Sequence, residues 1–246
     1  MIIDIHAHIW GNRLKETKEH VLRGIDRYGN DKIYISGLQS YVSDEVEIAD
    51  LNDAVHQFMK EQPNRVGGAV YVNPLHHNVL DVIKRATQDQ GFEMIKLWLC
   101  TTADHPAVDP IMEYAESNGL PVLFHVFKKY GGGVRNESVG SNLATIARRH
   151  PKTKILMAHL GGNRYDGVPA VRDLKNVWCD HSGGVGHGEE LDYAVEQLGA
   201  DRVLFGTDNG YVQNIGMVLG ADLTPRQREQ IFYKNALKLL DRNFRL

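Results

Sequence analysis

Two histidines separated by a single residue, His6 and His8, stand near the start of the chain. In an extended segment, residues i and i+2 project from the same face, so both imidazoles can reach one point. Neutral imidazole is a good ligand for zinc and similar divalent ions, and an added carboxylate offsets the cation's charge. A His-x-His pair alone is a weak signal, because most histidines are surface or core residues. Here it has company. Lys96, His125, His159 and Asp208 each lie at the end of a short apolar run far from the first pair. His6, His8, His125 and Asp208 are therefore candidate ligands of one divalent cation, which three imidazoles and one carboxylate would suit to zinc.

The elements that must position these groups alternate. Short runs rich in β-branched residues fall at Ile2 to Ile5, Lys32 to Gly37, Val66 to Val72, Met94 to Leu99, Pro121 to Val126, Lys154 to Ala158, Val177 to Asp180 and Arg202 to Gly206. Longer amphipathic stretches separate them, which predicts βα units and a parallel sheet. Asp44 to Lys60 reads as a helix with Val46, Ala49, Ala54, Val55, Phe58 and Met59 inward, and Pro110 to Asn118 as another, ended by Gly119. Thr224, Pro225 and Gln227 form a helix-start signature, followed by a core face of Ile231, Phe232, Ala236, Leu239 and Leu240. Eight such units without a Pro/Gly/Ser linker predict an α/β fold, one (β/α)8 TIM barrel domain over residues 1–246, with a doubly wound open sheet as the other solution. A barrel presents catalytic groups at the C-terminal ends of its strands. The candidates fall there: strand one runs into His6 and His8, strand four carries Lys96, strand five ends near His125, and strands six and eight lead into His159 and Asp208.

Composition narrows the class. The 246 residues hold 28 Lys and Arg against 31 Asp and Glu, a formal charge of -3. That balance does not predict a nucleic-acid partner, which usually calls for a basic excess. Cys100 and Cys179 form no Cys-x-x-Cys pattern and read as buried small apolar residues. No stretch approaches the roughly 20 apolar residues that span a bilayer, and the first residues lack a leader's basic and apolar regions. The expectation is a cytoplasmic enzyme with a small-molecule substrate, no membrane partner, and oligomeric state open, a homo-oligomer included.

The motifs resemble the amidohydrolase superfamily, and within it the amidohydrolase-related branch that includes aminocarboxymuconate-semialdehyde decarboxylase and several lactone hydrolases. Ile3-Asp4-Ile5-His6-Ala7-His8 resembles the family's first strand. Gly119 to His125 resembles its fifth, His150-Pro151 with Lys154 to Gly162 its sixth, and Asp201 to Asp208 its eighth. Ile231 through Asn235-Ala236 to Leu240 resembles its closing helix. The resemblance implies that His6, His8, His125 and Asp208 hold the metal. It further implies that Asp208 doubles as the base for a metal-activated water and that His159 orients or polarises water or substrate. Lys96 has three readings: a carboxylated lysine bridging two metals, a substrate ligand, or a packed structural residue. One ion is the commoner arrangement in this branch. The implied reaction is hydrolysis of an ester, lactone or amide. The alternative is nonoxidative decarboxylation of a carboxylated substrate, and a third reading is a TatD-type metal-dependent deoxyribonuclease, which usually carries Glu where Lys96 stands.

Two departures bear on the substrate. Asn209-Gly210 follows Asp208 where the family often has an aromatic residue and Pro, and the connection from His8 to strand two is too short for an inserted subdomain, which favours hydrolysis. His181, Arg135 and Arg164 lie in loops at the catalytic end and are candidate substrate contacts, an arginine being able to clamp a carboxylate. Gly131-Gly132-Gly133 reads as a flexible turn, with a lid as the other possibility.

Overall fold

A computed structural model describes residues 1–129, 131–183 and 187–241. Its strands follow one another around a single parallel sheet in chain order. They are β1 (Ile3–Trp10), β2 (Lys32–Leu38), β3 (Val66–Tyr71), β4 (Met94–Leu97), β5 (Val122–Phe124), β6 (Ile155–Met157), β7 (Val177–Asp180) and β8 (Val203–Leu204). The circle closes through backbone bonds from Ile5 N to Phe205 O (3.0 Å) and from Asp208 N to His6 O (2.7 Å). This is the (β/α)8 barrel expected from the alternation, not the open sheet. All eight expected strands are present, β7 with the expected bounds and the others with altered ones. β1 runs on through both histidines, whereas β8 stops early because Phe205 N turns to Ile231 O at 2.9 Å in the last helix.

Apolar residues fill two shells. The outer one lies between strands and helices and includes Ile9, Ile33, Val55, Val70, Ile95 and Phe205. The inner one fills the barrel: Ile3, Ile5, Tyr34, Ala69, Met94, Leu123, Leu156 and Leu204, joined by Ala236 and Leu239. Those last two belong to the C-terminal helical segment, which plugs the bottom of the barrel. Asn235 Nδ2 donates to Ala200 O and Val203 O, and Lys154 Nζ to Leu239 O. The start of that segment is capped as expected, with Thr224 Oγ1 accepting from Gln227 N and Gln227 Oε1 accepting from Thr224 N. It then widens into a π turn over Gln230–Lys234.

The helix Glu45–Glu61 is capped by Asp44, whose carboxylate accepts from Glu47 N at 2.8 Å. Its buried face is Ile48, Leu51, Asn52, Val55 and Phe58. The expected Val46 is exposed instead. The spacing 48, 51, 52, 55, 58 fits a 3.6-residue period better than the expected set, and the polar Asn52 belongs to it because its side chain bonds both N and O of Tyr71. Among the described residues no helix is long and apolar enough to cross a membrane, and both cysteines are free and buried.

One irregularity in β1 positions the site. Ile3 and Ile5 face the barrel interior, so strict alternation would send His6 and His8 outward to the helices. Between Asp4 and Ala7 the pairing slips: Asp4 opposes Ile33, but Ala7 opposes Ile35. Three steps on β1 match two on β2. The extra residue of this bulge inverts the parity, so Ala7 and Ile9 join the outer shell while both histidines turn inward.

Candidate metal centre

Two residues above the apolar layer, the same strands present polar groups. Tyr34 is followed by Ser36, Met94 by Lys96, Leu123 by His125, and Trp178 by Asp180. Alternation sends each pair to the same side. The strand-six and strand-eight groups arrive by turns: His159 (φ 62°) and Asp208 (φ 47°) adopt left-handed backbone conformations that cost a non-glycine residue about 1–3 kcal/mol. Gly206 leaves room for the approach. A Cβ there would lie 3.0 Å from Asp180 Cβ and 3.2 Å from His6 Cβ.

The centre itself is a ring of histidines braced by carboxylates. His6 Nε2 and His8 Nε2 face each other at 3.0 Å, and Asp208 Oδ1 lies 3.2 Å from His8 Nε2. The donor atoms of His6, His8 and Asp208 all fall within 4.8 Å of one another, and those of His6, His159 and Asp180 form a second such group. His6 Nδ1 donates to Asp180 Oδ2 at 3.0 Å. A carboxylate can only accept, so Nε2 of His6 carries the lone pair and points to the centre. His8 is braced at Nδ1 by Ser36 Oγ (2.9 Å), and its backbone N and O are both bonded by the Asn209 side chain. Lys96 is fully buried, with Nζ 3.2 Å from His6 Nε2.

Burial sets the protonation states. It pushes His6 down to about 3, helped by the Lys96 ammonium, and pushes His8 below its usual value against the pull of Asp208. His125 is driven down to about 4 by burial despite Glu137. Burial works to raise Asp180 and Asp208, but the attraction of His6 for the first and the hydrogen bond from His8 to the second hold both below the usual carboxylate range. Lys96 is pushed down to about 8 by burial, with Asp208 and Asp180 opposing. At neutral pH His6, His8 and His125 are thus neutral and Asp180 and Asp208 ionised, the forms that bind a divalent cation. The buried Asp180 and the partly exposed Asp208 face the Lys96 ammonium, and the His6 lone pair is aimed into the same space. This donor set fits a metal ion.

The expected ligands do not all converge. His6, His8 and Asp208 do, whereas His125 stands one ring away, with Nδ1 3.2 Å from His159 Nε2 and Nε2 3.1 Å from Glu137 Oε1. His181, expected to meet substrate, turns outward. It is fully buried against Phe205, ring centroids 5.5 Å apart, and it is Asp180 that faces inward. Arg164 is engaged by Glu190 (2.5 Å), and Arg135 is exposed on the loop after β5. Sequence reasoning passed over Asp180, Ser182 and Glu137. Ser182 Oγ donates to Asp180 Oδ1 (2.5 Å) and lies 3.0 Å from His159 Nδ1. Counting alternately from Trp178 points to Asp180; no periodic signal marks a loop residue such as Glu137.

The amidohydrolase family model matches residues 3–242. No curated protein matches in sequence. Among solved structures, 2,6-dihydroxybenzoate decarboxylase from Rhizobium is 16% identical with a TM-score of 0.75, covering 98% of each chain. The 5-carboxyvanillate decarboxylase of Novosphingobium aromaticivorans, complexed with manganese and 4-hydroxy-3-methoxy-5-nitrobenzoic acid, is 15% identical with a TM-score of 0.75, covering 98% of this chain and 96% of that one. The 4-oxalomesaconate hydratase of Rhodopseudomonas palustris is 18% identical with a TM-score of 0.74, again over 98% and 96%. At these identities the structures speak for a shared barrel, while the family match, spanning nearly the whole sequence, identifies the chain as a member of the amidohydrolase family.

Proposed function

We propose that this protein is a cytoplasmic, metal-dependent lyase that removes carbon dioxide from a small, planar carboxylic acid. The observation that carries the reading is the inward cluster of His6, His8 and Asp208, with Lys96 beside it. Solved relatives that act on dihydroxybenzoate and carboxyvanillate favour decarboxylation over the hydrolysis expected from the short His8-to-β2 connection. An aromatic wall supports a planar substrate: Trp10 lies beside His8 (centroids 6.4 Å apart) and meets Trp98 edge-on at 6.0 Å, and Trp98 meets Tyr41 at 5.4 Å.

The metal, held by His6, His8 and Asp208, would supply a Lewis acid that polarises a substrate oxygen. The chain's own groups do the rest. The Lys96 ammonium lies where it can neutralise a carboxylate, and the aromatic wall orients the plane. When the C–C bond to the carboxyl group breaks, the electron pair left on carbon must take a proton. Asp208, whose side chain is 34% exposed and so open to a bound molecule, is ionised and is assigned to relay that proton, taking it from water and passing it to the carbon, with His159 orienting the substrate. An N/O donor set suits zinc, and manganese occupies one solved relative.

The test is a panel of hydroxylated aromatic and dienoic acids assayed for carbon dioxide release, run beside a lactone and ester panel with zinc and with manganese. Release from an acid with no lactone turnover supports the lyase; the reverse pattern returns the protein to hydrolysis. Elemental analysis should find one ion per chain, and two would make Lys96 a bridging ligand.

A further inference from the structure

Glu137 lies in the loop after β5, outside every group read from the sequence, yet its side chain is only 3% exposed. Its Oε1 accepts from His125 Nε2 at 3.1 Å and from Lys129 Nζ at 2.9 Å, and its Oε2 accepts from Val134 N at 3.2 Å. The backbone on either side is fastened. Asn136 Nδ2 donates to Cys100 O (2.8 Å), Ala103 N donates to Ser138 Oγ (2.9 Å), and Phe127 N donates to Ser138 O (2.8 Å). The carboxylate is therefore held in place, not dangling from a loose loop.

Following the protons along this chain leads to a conflict. The Glu137 carboxylate can only accept, so the His125 proton sits on Nε2 and Nδ1 is a lone pair. At the other end, His159 Nδ1 lies 3.2 Å from the Ser182 carbonyl, which can also only accept. It lies 3.0 Å from Ser182 Oγ, whose own proton goes to Asp180. The His159 proton thus sits on Nδ1 and its Nε2 is a lone pair. These two lone pairs, His125 Nδ1 and His159 Nε2, face each other at 3.2 Å. Two neutral imidazoles anchored at both outer ends by acceptors have no proton left for the space between them. Only a positive charge reconciles them.

We propose that Glu137 is a positioning residue, holding His125 in the tautomer whose Nδ1 lone pair faces the His159 Nε2 lone pair beside the centre, and so readying that pair for a cation. This rests on the reading that the centre binds a divalent metal. Outer partners that fix a ligand histidine's tautomer typically change metal affinity by about 10–100-fold.

The experiment compares wild type with Glu137→Gln in the full chain. In metal-free protein, long-range 1H–15N spectra report which His125 nitrogen bears hydrogen. The wild type should show Nε2–H. In the variant the Gln amide can donate to Nε2, so His125 should switch to Nδ1–H and donate to His159, relieving the conflict. Affinity for Mn2+, read from the electron paramagnetic resonance of the free ion, should fall about 10–100-fold, while the metal-free Tm does not drop. A merely structural Glu137 would lower Tm and leave the tautomer alone. His125 staying Nε2–H in the variant, or unchanged Mn2+ affinity, overturns the proposal. If the variant does not fold, an Nδ1–H signal in wild type overturns it and an Nε2–H signal supports it. A wild type that retains no Mn2+ sinks the cation reading, while the tautomer signals still judge Glu137 separately.

Discussion

Two layers of the barrel interior lie two residues apart along the strands. The lower holds Ile5, Tyr34, Ala69, Met94, Leu123, Leu156, Trp178 and Leu204. The upper, on the same strands, holds His6 and His8, Ser36, Tyr71, Lys96, His125, Ala158, Asp180 and Gly206. Below, burial is favourable at about 1.5–3 kcal/mol for each large apolar side chain. Above, burial works against the groups it encloses: it strips the histidines of their protons and weakens the hold of Lys96 on its own. Chemistry at the mouth is thus bought with stability supplied beneath it. The two layers should therefore respond to substitution in opposite currencies, one in activity and the other in folding.

The largest effect is expected from His6→Ala combined with His8→Ala. Metal affinity should fall by more than about 100-fold, beyond what loss of an outer partner costs, while the far-ultraviolet circular dichroism stays that of the wild type. A double variant that still retained a tight equivalent of metal would remove these histidines from the ligand set. Leu156→Ala makes the reciprocal cut in the lower layer. Leu156 is fully buried, and its truncation should cost about 2–5 kcal/mol in denaturant unfolding, with metal stoichiometry and kcat of the folded fraction unchanged. A large loss of kcat would show that the layers are not separable. Asp180→Asn tests the boundary between them. The amide no longer obliges His6 to keep its proton on Nδ1, so metal affinity should drop by about 10–100-fold, measured by competition with a chromogenic chelator.

Much of this arrangement was legible in the residues. Alternation of β-branched runs with amphipathic stretches gave the barrel, and Thr224-Pro225-Gln227 gave the start of its last helix. His6, His8 and Asp208 were found by type and strand-end position. Their orientation was not. Regular alternation from Ile3 and Ile5 turns both histidines outward, and only a bulge, set by pairing with β2, turns them in. His181 was chosen over Asp180 by residue type, although parity from Trp178 separates the two. Ser182 and Glu137 act through contacts between segments far apart in sequence, for which no local pattern exists.

Lys96→Met should give the smallest effect and the most telling sign. The two side chains are similar in length, but the methionine carries no charge into a site with no exposure. In metal-free protein the variant should be more stable at pH 7 by on the order of 1–3 kcal/mol, as when buried ions yield to apolar groups, although kcat falls if the ammonium faces substrate. The pH dependence fixes the cause. Lys96 is lowered from 10.5 to about 8 in the folded state. Below about 8 both states are protonated and the folded one bears the full cost of the buried charge. Between about 8 and 10.5 the folded lysine has lost its proton while the unfolded one keeps it. The unfolded state then binds more protons, so wild-type stability rises with pH relative to the variant. The advantage of Lys96→Met should therefore be flat at neutral pH and shrink across that interval. Denaturant midpoints measured from pH 6 to 10 will show it. An advantage that persisted unchanged to pH 10 would mean that packing, not the buried ammonium, separates the two proteins, and Lys96 would then belong with the layer below.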